Sequence, residues 1–137
     1  MKITYLGTAA SEGLPAPFCT CEVCRRAREA GGKSVRTRSQ ALVDESLLID
    51  FPPDTYLHWL RTPFDFLKVT DLLVTHSHMD HWYPDDVQSV VPPYGHHDPS
   101  YTLTLHGNER VIQMLEEGMA REEPQILETV PRKVAKA

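Results

Sequence analysis

Apolar and polar residues alternate along several short stretches of the chain, which is the pattern of β-strands with one buried face. The predicted strands are Lys2–Gly7, Gln40–Val43, Ser46–Asp50, Asp71–Thr75, Tyr101–His106 and Ile126–Val130. Helical spacing, or a helix start or stop signal, marks four segments between them. The predicted helices are Glu22–Ala30, Thr55–Leu60, Asp85–Val91 and Asn108–Glu117. Because strands come first and strand-helix alternation follows, the pattern predicts an α/β layered domain.

Composition narrows the class of protein. The chain has 137 residues, of which 41% are hydrophobic and 24% charged, so it has room for one domain with a core. Its net charge of -5 disfavours nucleic acid as the main partner. The sequence shows neither a secretory signal nor an apolar run near the roughly 18 residues of a membrane helix. We therefore expect a cytoplasmic protein with no membrane partner.

The strongest chemical signal is the cluster His76, His78, Asp80 and His81, which directly follows the apolar run 72–74. Alternate residues of an extended chain share a face, so His76 and His78 point the same way, and a turn then returns Asp80 and His81. Imidazole and carboxylate ligands suit zinc, manganese or iron, and two adjacent ion sites are plausible, with His76 and His78 in one. A bound metal lowers the pKa of water to about 7, which indicates metal-assisted hydrolysis. The alternative is that these are ordinary surface side chains.

A second candidate metal site is the loop that carries Cys19, Cys21 and Cys24. Three thiolates so close together are typical ligands of a structural zinc ion. They leave a tetrahedral site one ligand short, and His96 or His97 completes it only if folding happens to bring one of them there. The alternative is free buried thiols without a metal. An odd number of closely spaced cysteines fits a reducing cytosol better than a disulfide framework.

The histidine cluster resembles the HxHxDH signature of metallo-β-lactamase fold hydrolases, and segments around it resemble the PhnP-like phosphodiesterases of that fold. The segments that carry the PhnP-like resemblance are Leu6-Gly7-Thr8, the cysteine loop, Ser39–Val43 and Leu47–Asp50. The resemblance implies an αββα fold, of which this chain supplies a mixed sheet with flanking helices. It also implies a phosphodiesterase with two Zn or Mn ions, acting on cyclic phosphates or nucleotide-like diesters. The implied metal ligands are His76, His78, Asp80 (also catalytic) and His81, with Cys19, Cys21 and Cys24 on a structural zinc.

The resemblance covers residues 2–117, the N-terminal half of such a domain. We expect 1–130 to form that half and 131–137 to be a polar tail. The family's downstream histidines and bridging aspartate have no counterpart in this chain. A truncated chain, a partner that supplies the other half, or a second copy that covers the open sheet face would each account for this. Two functions follow: a metal-dependent phosphodiesterase, or a catalytically incomplete metal-binding half-domain that acts by assembly.

Five further polar residues have weaker signals. Asp50 either orients a ligand histidine or simply ends a strand. His96 and His97 lie in a loop and are candidate substrate contacts, with an ordinary loop role as the alternative. His106 is predicted to be a strand-end residue and His58 to be ordinary helix packing. The same histidine cluster also serves thioester or lactam hydrolysis in principle.

Overall fold

The strands of the sheet follow each other in chain order. The computed structural model describes residues 1–121 and 134–136 of the chain. The strands are β1 (Ile3–Gly7), β2 (Gln40–Val43), β3 (Leu47–Ile49), β4 (Asp71–Leu73), β5 (Thr104–Gly107) and β6 (Val134–Lys136). β1, β2 and β3 pair antiparallel, whereas β3 to β6 pair parallel. The sheet is therefore mixed: a short turn joins antiparallel β2 and β3, whereas each parallel pair is joined by a long crossover.

The helices lie in the long connections between strands. The α-helices are α1 (Glu22–Ala30), α2 (Thr55–Arg61) and α3 (Glu109–Arg121), and three short 3₁₀ helices lie at Gly32–Ser34, Phe66–Lys68 and Pro84–Val90. None of the helices in the described part of the chain is long and apolar enough to cross a membrane. The mixed sheet with flanking helices confirms the predicted α/β class.

Several predicted elements differ from the structure in their end residues, and three differences go further. The predicted helix Asp85–Val91 is a 3₁₀ helix, in a segment that starts at Pro84 and contains several β-branched valines, which are poor α-helix formers. The predicted strand from Tyr101 begins only at Thr104, because the backbone N–H of Tyr101 donates to the Asp98 carbonyl at 3.0 Å within a turn and not to a neighbouring strand. β6 lies within the segment predicted to be a tail, and the predicted strand Ile126–Val130 lies outside the described residues.

Strand register separates the two faces of the sheet. Leu42, Leu48, Leu72 and Leu105 lie side by side in one row, and all are buried. They pack with Trp82 and with Val111 of α3, among others, in a single core cluster. This row of aliphatic side chains forms the face of the sheet against which helix α3 packs.

The opposite face of the sheet is apolar but open. Ile3, Tyr5 and Leu73 lie on this face and are 46%, 73% and 38% exposed. Neighbouring positions of the same rows include Ala41 and Ile49. An exposed apolar face of this kind marks a surface that packs against another layer.

Candidate metal centre

The ligand cluster begins where β4 ends. Backbone hydrogen bonds fix it to the end of β3: the Phe51 N–H donates to the His81 carbonyl at 2.7 Å, and the Tyr83 N–H donates to the Phe51 carbonyl at 2.8 Å. Between these two bonds, Trp82 is 1% exposed, and its Nε1–H donates to the Val111 carbonyl oxygen at 3.1 Å. A large buried aromatic side chain next to His81 therefore anchors the loop in the core.

The structure brings the side chains of the cluster together. The ring centroid of His76 lies 4.7 Å from that of His78 and 4.1 Å from that of His81. The Asp80 carboxylate lies 3.5 Å from Nε2 of His81. The His81 N–H donates to the His78 carbonyl at 2.9 Å, which closes the turn. Three imidazoles and one carboxylate thus lie near one another at the end of the strand, although no three of these residues have ligand atoms within 4.8 Å of one another.

Asp50 controls the orientation of His81. Its carboxylate is nearly buried, and one oxygen accepts from Nδ1–H of His81 at 2.7 Å. The other oxygen accepts from the backbone N–H and the hydroxyl of Thr75, each at 2.8 Å. Because the carboxylate holds the proton on Nδ1, the lone pair of His81 is on Nε2, the nitrogen that faces Asp80.

Thr75 extends this arrangement to a second histidine. Its Oγ1 lies 3.1 Å from Nδ1 of His76 while its hydroxyl donates to Asp50. The hydroxyl hydrogen is committed to Asp50, so Oγ1 accepts from His76, and the lone pair of His76 is on Nε2 as well. A single buried carboxylate therefore sets the tautomer of two of the three histidines.

The donor set fits a divalent metal ion. Neutral imidazole nitrogens and a carboxylate are ligands of zinc, manganese and iron, and the tautomer of each ring decides which of its two nitrogens can bind. His76, His78, Asp80 and His81 would hold the metal here, as the sequence predicts.

The cysteine loop forms a second cluster. The Sγ atoms of Cys19, Cys21 and Cys24 all lie within 4.8 Å of one another. Tetrahedral zinc with Zn–S bonds of about 2.3 Å places sulfurs roughly 3.8 Å apart, so a small contraction would accommodate the ion. The N–H of Cys24 stabilises the Cys21 thiolate and lowers the pKa of that thiol to about 7. Within the described residues, no histidine or carboxylate joins the three sulfurs as a fourth ligand.

The two loop histidines lie elsewhere. His97 uses both ring nitrogens within its own loop, at 2.6 Å from the Val90 carbonyl oxygen and 3.0 Å from that of Asp98. These carbonyl acceptors raise the pKa of His97, the Asp98 carbonyl having the larger effect. His96 and His97 line an apolar cavity of about 620 Å³ that Trp82 also lines. A role for either histidine in substrate contact stays a prediction.

Two other histidines take different places in the fold. His106 lies on β5, and its Nε2 is 2.7 Å from Oδ1 of Asp71 on β4, so it is a strand residue as predicted. His58 was predicted to be an ordinary packing residue of a helix, but the structure also gives it specific hydrogen bonds. It is 1% exposed and hydrogen-bonds through both ring nitrogens, to Gln40 and Thr37.

Sequence reasoning missed Gln40 and Thr75. Gln40 is a buried amide inside an otherwise apolar strand, and that mismatch with its neighbours was the available signal. Buried polar side chains are normally hydrogen-bonded, so such a residue predicts a partner even where the partner cannot be identified. Thr75 gave no signal of its own.

Comparison with solved structures identifies the fold. A diphosphatase of the PhnP family superposes with a TM-score of 0.69 and 25% identity, over 97% of this chain and 49% of that one. The chain has the metallo-β-lactamase fold. Zn²⁺-bound PqqB from Methylobacterium extorquens (TM-score 0.66, 19% identity) and the short form of human tRNase Z (TM-score 0.59, 18% identity) share it. They match 98% and 88% of this chain, and the resemblance predicted from HxHxDH is confirmed.

The shared region is a part of each related protein. The chain spans 49%, 44% and 39% of the length of these three metallo-β-lactamase fold structures. An octanoyltransferase from Porphyromonas gingivalis (strain ATCC BAA-308 / W83) is 35% identical over 83 residues, which are 59% of this chain and 16% of that protein. No protein-family model matches the chain.

Proposed function

We propose that the chain forms the metal-binding part of a metal-dependent hydrolase that cleaves phosphodiesters or diphosphates. The observation that supports the proposal is the proximity of His76 to His78 and His81, and of His81 to Asp80, with Asp50 fixing the tautomer of His81. The PhnP-family diphosphatase and tRNase Z, which share the metallo-β-lactamase fold, support a phosphate ester or anhydride as substrate. Small diesters such as cyclic phosphates are the substrate class that the sequence resemblance favours.

In the proposed site, some residues would bind the metal ions and another orients one of those ligands. Divalent metal ions, when bound, polarise a phosphoryl oxygen and lower the pKa of coordinated water. In the assignment that the sequence suggests, His76 and His78 would hold one ion, and Asp80 and His81 would hold the other. Asp50 keeps His81 in the tautomer that can coordinate a metal.

Metal analysis tests this proposal. Zinc and manganese content per chain is measured for the purified protein and for a His76→Ala/His78→Ala variant. We expect the wild type to retain more metal than this variant, because imidazoles are the principal neutral ligands of the cluster. Replacement of Cys19, Cys21 and Cys24 by serine should remove a separate zinc ion. Equal metal content in the wild type and the double alanine variant would contradict the proposal.

An assembly function is the second candidate, and the open sheet face favours it. Ile3, Tyr5 and Leu73 form an exposed apolar surface on the same sheet that carries the histidine cluster at the end of β4. A partner or second copy that covers this face would complete the layered fold, and the chain alone would then bind metal without turning over substrate. We expect the purified chain to hydrolyse a bis-aryl phosphate poorly. Fast turnover by the 137-residue chain would reject the assembly function.

The expected location follows from the thiols. Cys19, Cys21 and Cys24 are all free, and reduced thiols suit the cytoplasm. We therefore propose a cytoplasmic protein, with a small phosphate ester as its ligand.

A further inference from the structure

Asp50 has an unusual backbone. Its φ angle is 63°, in the left-handed region that non-glycine residues rarely adopt. Such a conformation persists only where the surrounding structure fixes it. The side-chain carboxylate of Asp50 orients His81 and accepts from Thr75. The backbone conformation of Asp50 therefore decides where this carboxylate lies.

A buried amide holds that backbone. Gln40 is 1% exposed, and its Nε2 donates to the Asp50 carbonyl oxygen at 2.9 Å and to the Thr55 hydroxyl oxygen at 3.0 Å. The Thr55 hydroxyl in turn donates to the Pro52 carbonyl at 2.6 Å. Because both carbonyls only accept, the amide nitrogen of Gln40 must face Asp50.

The direction of the remaining hydrogen bonds follows. With its nitrogen on Asp50, Gln40 presents Oε1 to Nδ1 of His58 at 2.6 Å, so His58 carries its proton there. Nε2 of His58 then accepts from the Thr37 hydroxyl at 2.7 Å. Burial lowers the pKa of His58, which favours this neutral form. The result is one directed series of donors, from Thr37 through His58 and Gln40 to the backbone of Asp50.

We propose that Gln40 and His58 are positioning residues for the His76–His81 cluster and act on it through the backbone of Asp50. The side chain of Gln40 hydrogen-bonds to Asp50, Thr55 and His58, so its influence on the cluster passes through Asp50 to His81 and Thr75. The proposal deepens the proposed function, since it concerns the organisation of the same site. It nevertheless describes the metal-free protein and can be tested there.

The first test uses the metal-free chain. Gln40→Met keeps the length of the side chain and removes its hydrogen bonds, and Gln113→Met on the exposed face of α3 is a matched control. We expect faster hydrogen exchange of the Thr75 amide, and a change in the ¹⁵N shifts of the His81 ring, in Gln40→Met alone. Unchanged exchange and unchanged shifts would overturn the proposal. If Gln40→Met fails to fold, His58→Phe, which keeps a ring and loses both hydrogen bonds, replaces it with the same expected result.

The second test uses Co²⁺ as the probe. The cysteine cluster is an internal control, because thiolate ligation gives its own charge-transfer absorption. We expect Gln40→Met to weaken Co²⁺ binding at the histidine cluster about 10-fold, at the low end for outer-sphere partners of metal ligands. Binding at the cysteines should stay within about twofold, since those ligands do not depend on Asp50. Equal weakening at both clusters would show general destabilisation and overturn the proposal.

A double-mutant cycle separates positioning from structure. If Gln40 acts through Asp50, Gln40→Met should have no further effect on Co²⁺ affinity in an Asp50→Ala background. Additive losses would overturn the proposal. If the wild type binds no Co²⁺ at the histidine cluster, the proposed hydrolase function fails, while the exchange measurement on the metal-free chain still decides the role of Gln40.

Discussion

Replacement of Asp50 by asparagine is expected to weaken metal binding at the histidine cluster while leaving the fold in place. Asparagine keeps the size of the side chain and tolerates the left-handed backbone at this position. Its amide oxygen can still accept from Thr75, but its NH₂ group then faces Nδ1 of His81. Two donors cannot face each other, so the His81 proton moves to Nε2. The lone pair required for a metal is lost from the nitrogen beside Asp80.

The expected size of the effect comes from the contacts. Asp50 makes a 2.7 Å hydrogen bond to His81 and is 3% exposed, so water does not replace the carboxylate when it is removed. Loss of a carboxylate that orients a ligand histidine typically costs 10–100-fold in metal affinity. This corresponds to roughly 1.4–2.7 kcal/mol of binding free energy.

The assay is competition between the protein and a chromophoric chelator for Zn²⁺. Measuring each variant with and without the three cysteines separates Zn²⁺ binding at the histidine cluster from binding at the cysteine cluster. Asp71→Asn is the matched control, because Asp71 also hydrogen-bonds a histidine, His106 at 2.7 Å, away from the cluster. We expect Asp50→Asn to lose affinity and Asp71→Asn to keep it. Zn²⁺ affinity of Asp50→Asn equal to the wild type would refute the argument from the tautomer.

Three further substitutions test other parts of the structure. Glu45→Gly should raise the free energy of unfolding, measured by urea titration, by about 0.5–1 kcal/mol. The reason is that Glu45 has a φ of 65°, which glycine adopts without strain. No gain in stability would mean that the hairpin turn is unstrained. Gly7→Ala should lower the free energy of unfolding by about 3 kcal/mol, since a Cβ at Gly7 would lie 1.9 Å from the Arg38 carbonyl oxygen, and a loss below 1 kcal/mol would contradict this packing. The hydrogen bond from His106 lowers the pKa of Asp71 below its ordinary value of 3.8. The ionised Asp71 carboxylate therefore stabilises the fold above pH 3.8, and this stabilisation is lost as the pH falls through the lowered pKa of the folded protein. Asp71→Asn should therefore reduce the melting temperature at pH 6 but not below the lowered pKa; an equal reduction at both would oppose this linkage.

Much of the fold was predictable because its signals are local. The apolar segments Gln40–Val43 and Ser46–Asp50 predicted two strands, and these pair as a hairpin. The two residues between the predicted strands, Asp44 and Glu45, have positive φ angles of 46° and 65°. The limits of the elements were less predictable. The strand predicted from Tyr101 starts later because the Tyr101 backbone N–H closes a turn onto the Asp98 carbonyl. The Tyr101 hydroxyl also contacts the carbonyls of Phe66 and Val69, more than thirty positions away.

The sequence alone determined both candidate metal clusters. Ligand spacing within six residues is a property of a contiguous segment, so Cys19 to Cys24 and His76 to His81 are visible without a fold. The same local pattern made the metallo-β-lactamase resemblance recognisable.

Only the tertiary structure decided how the histidine cluster is organised. Asp50 and His81 are 31 residues apart, and they meet because β3 and β4 pair in parallel and end at the same edge of the sheet. The link from His58 through Gln40 to Asp50 likewise depends on helix α2 packing against β2. Hydrogen bonds between distant segments follow from strand register and packing, which no short stretch of sequence contains.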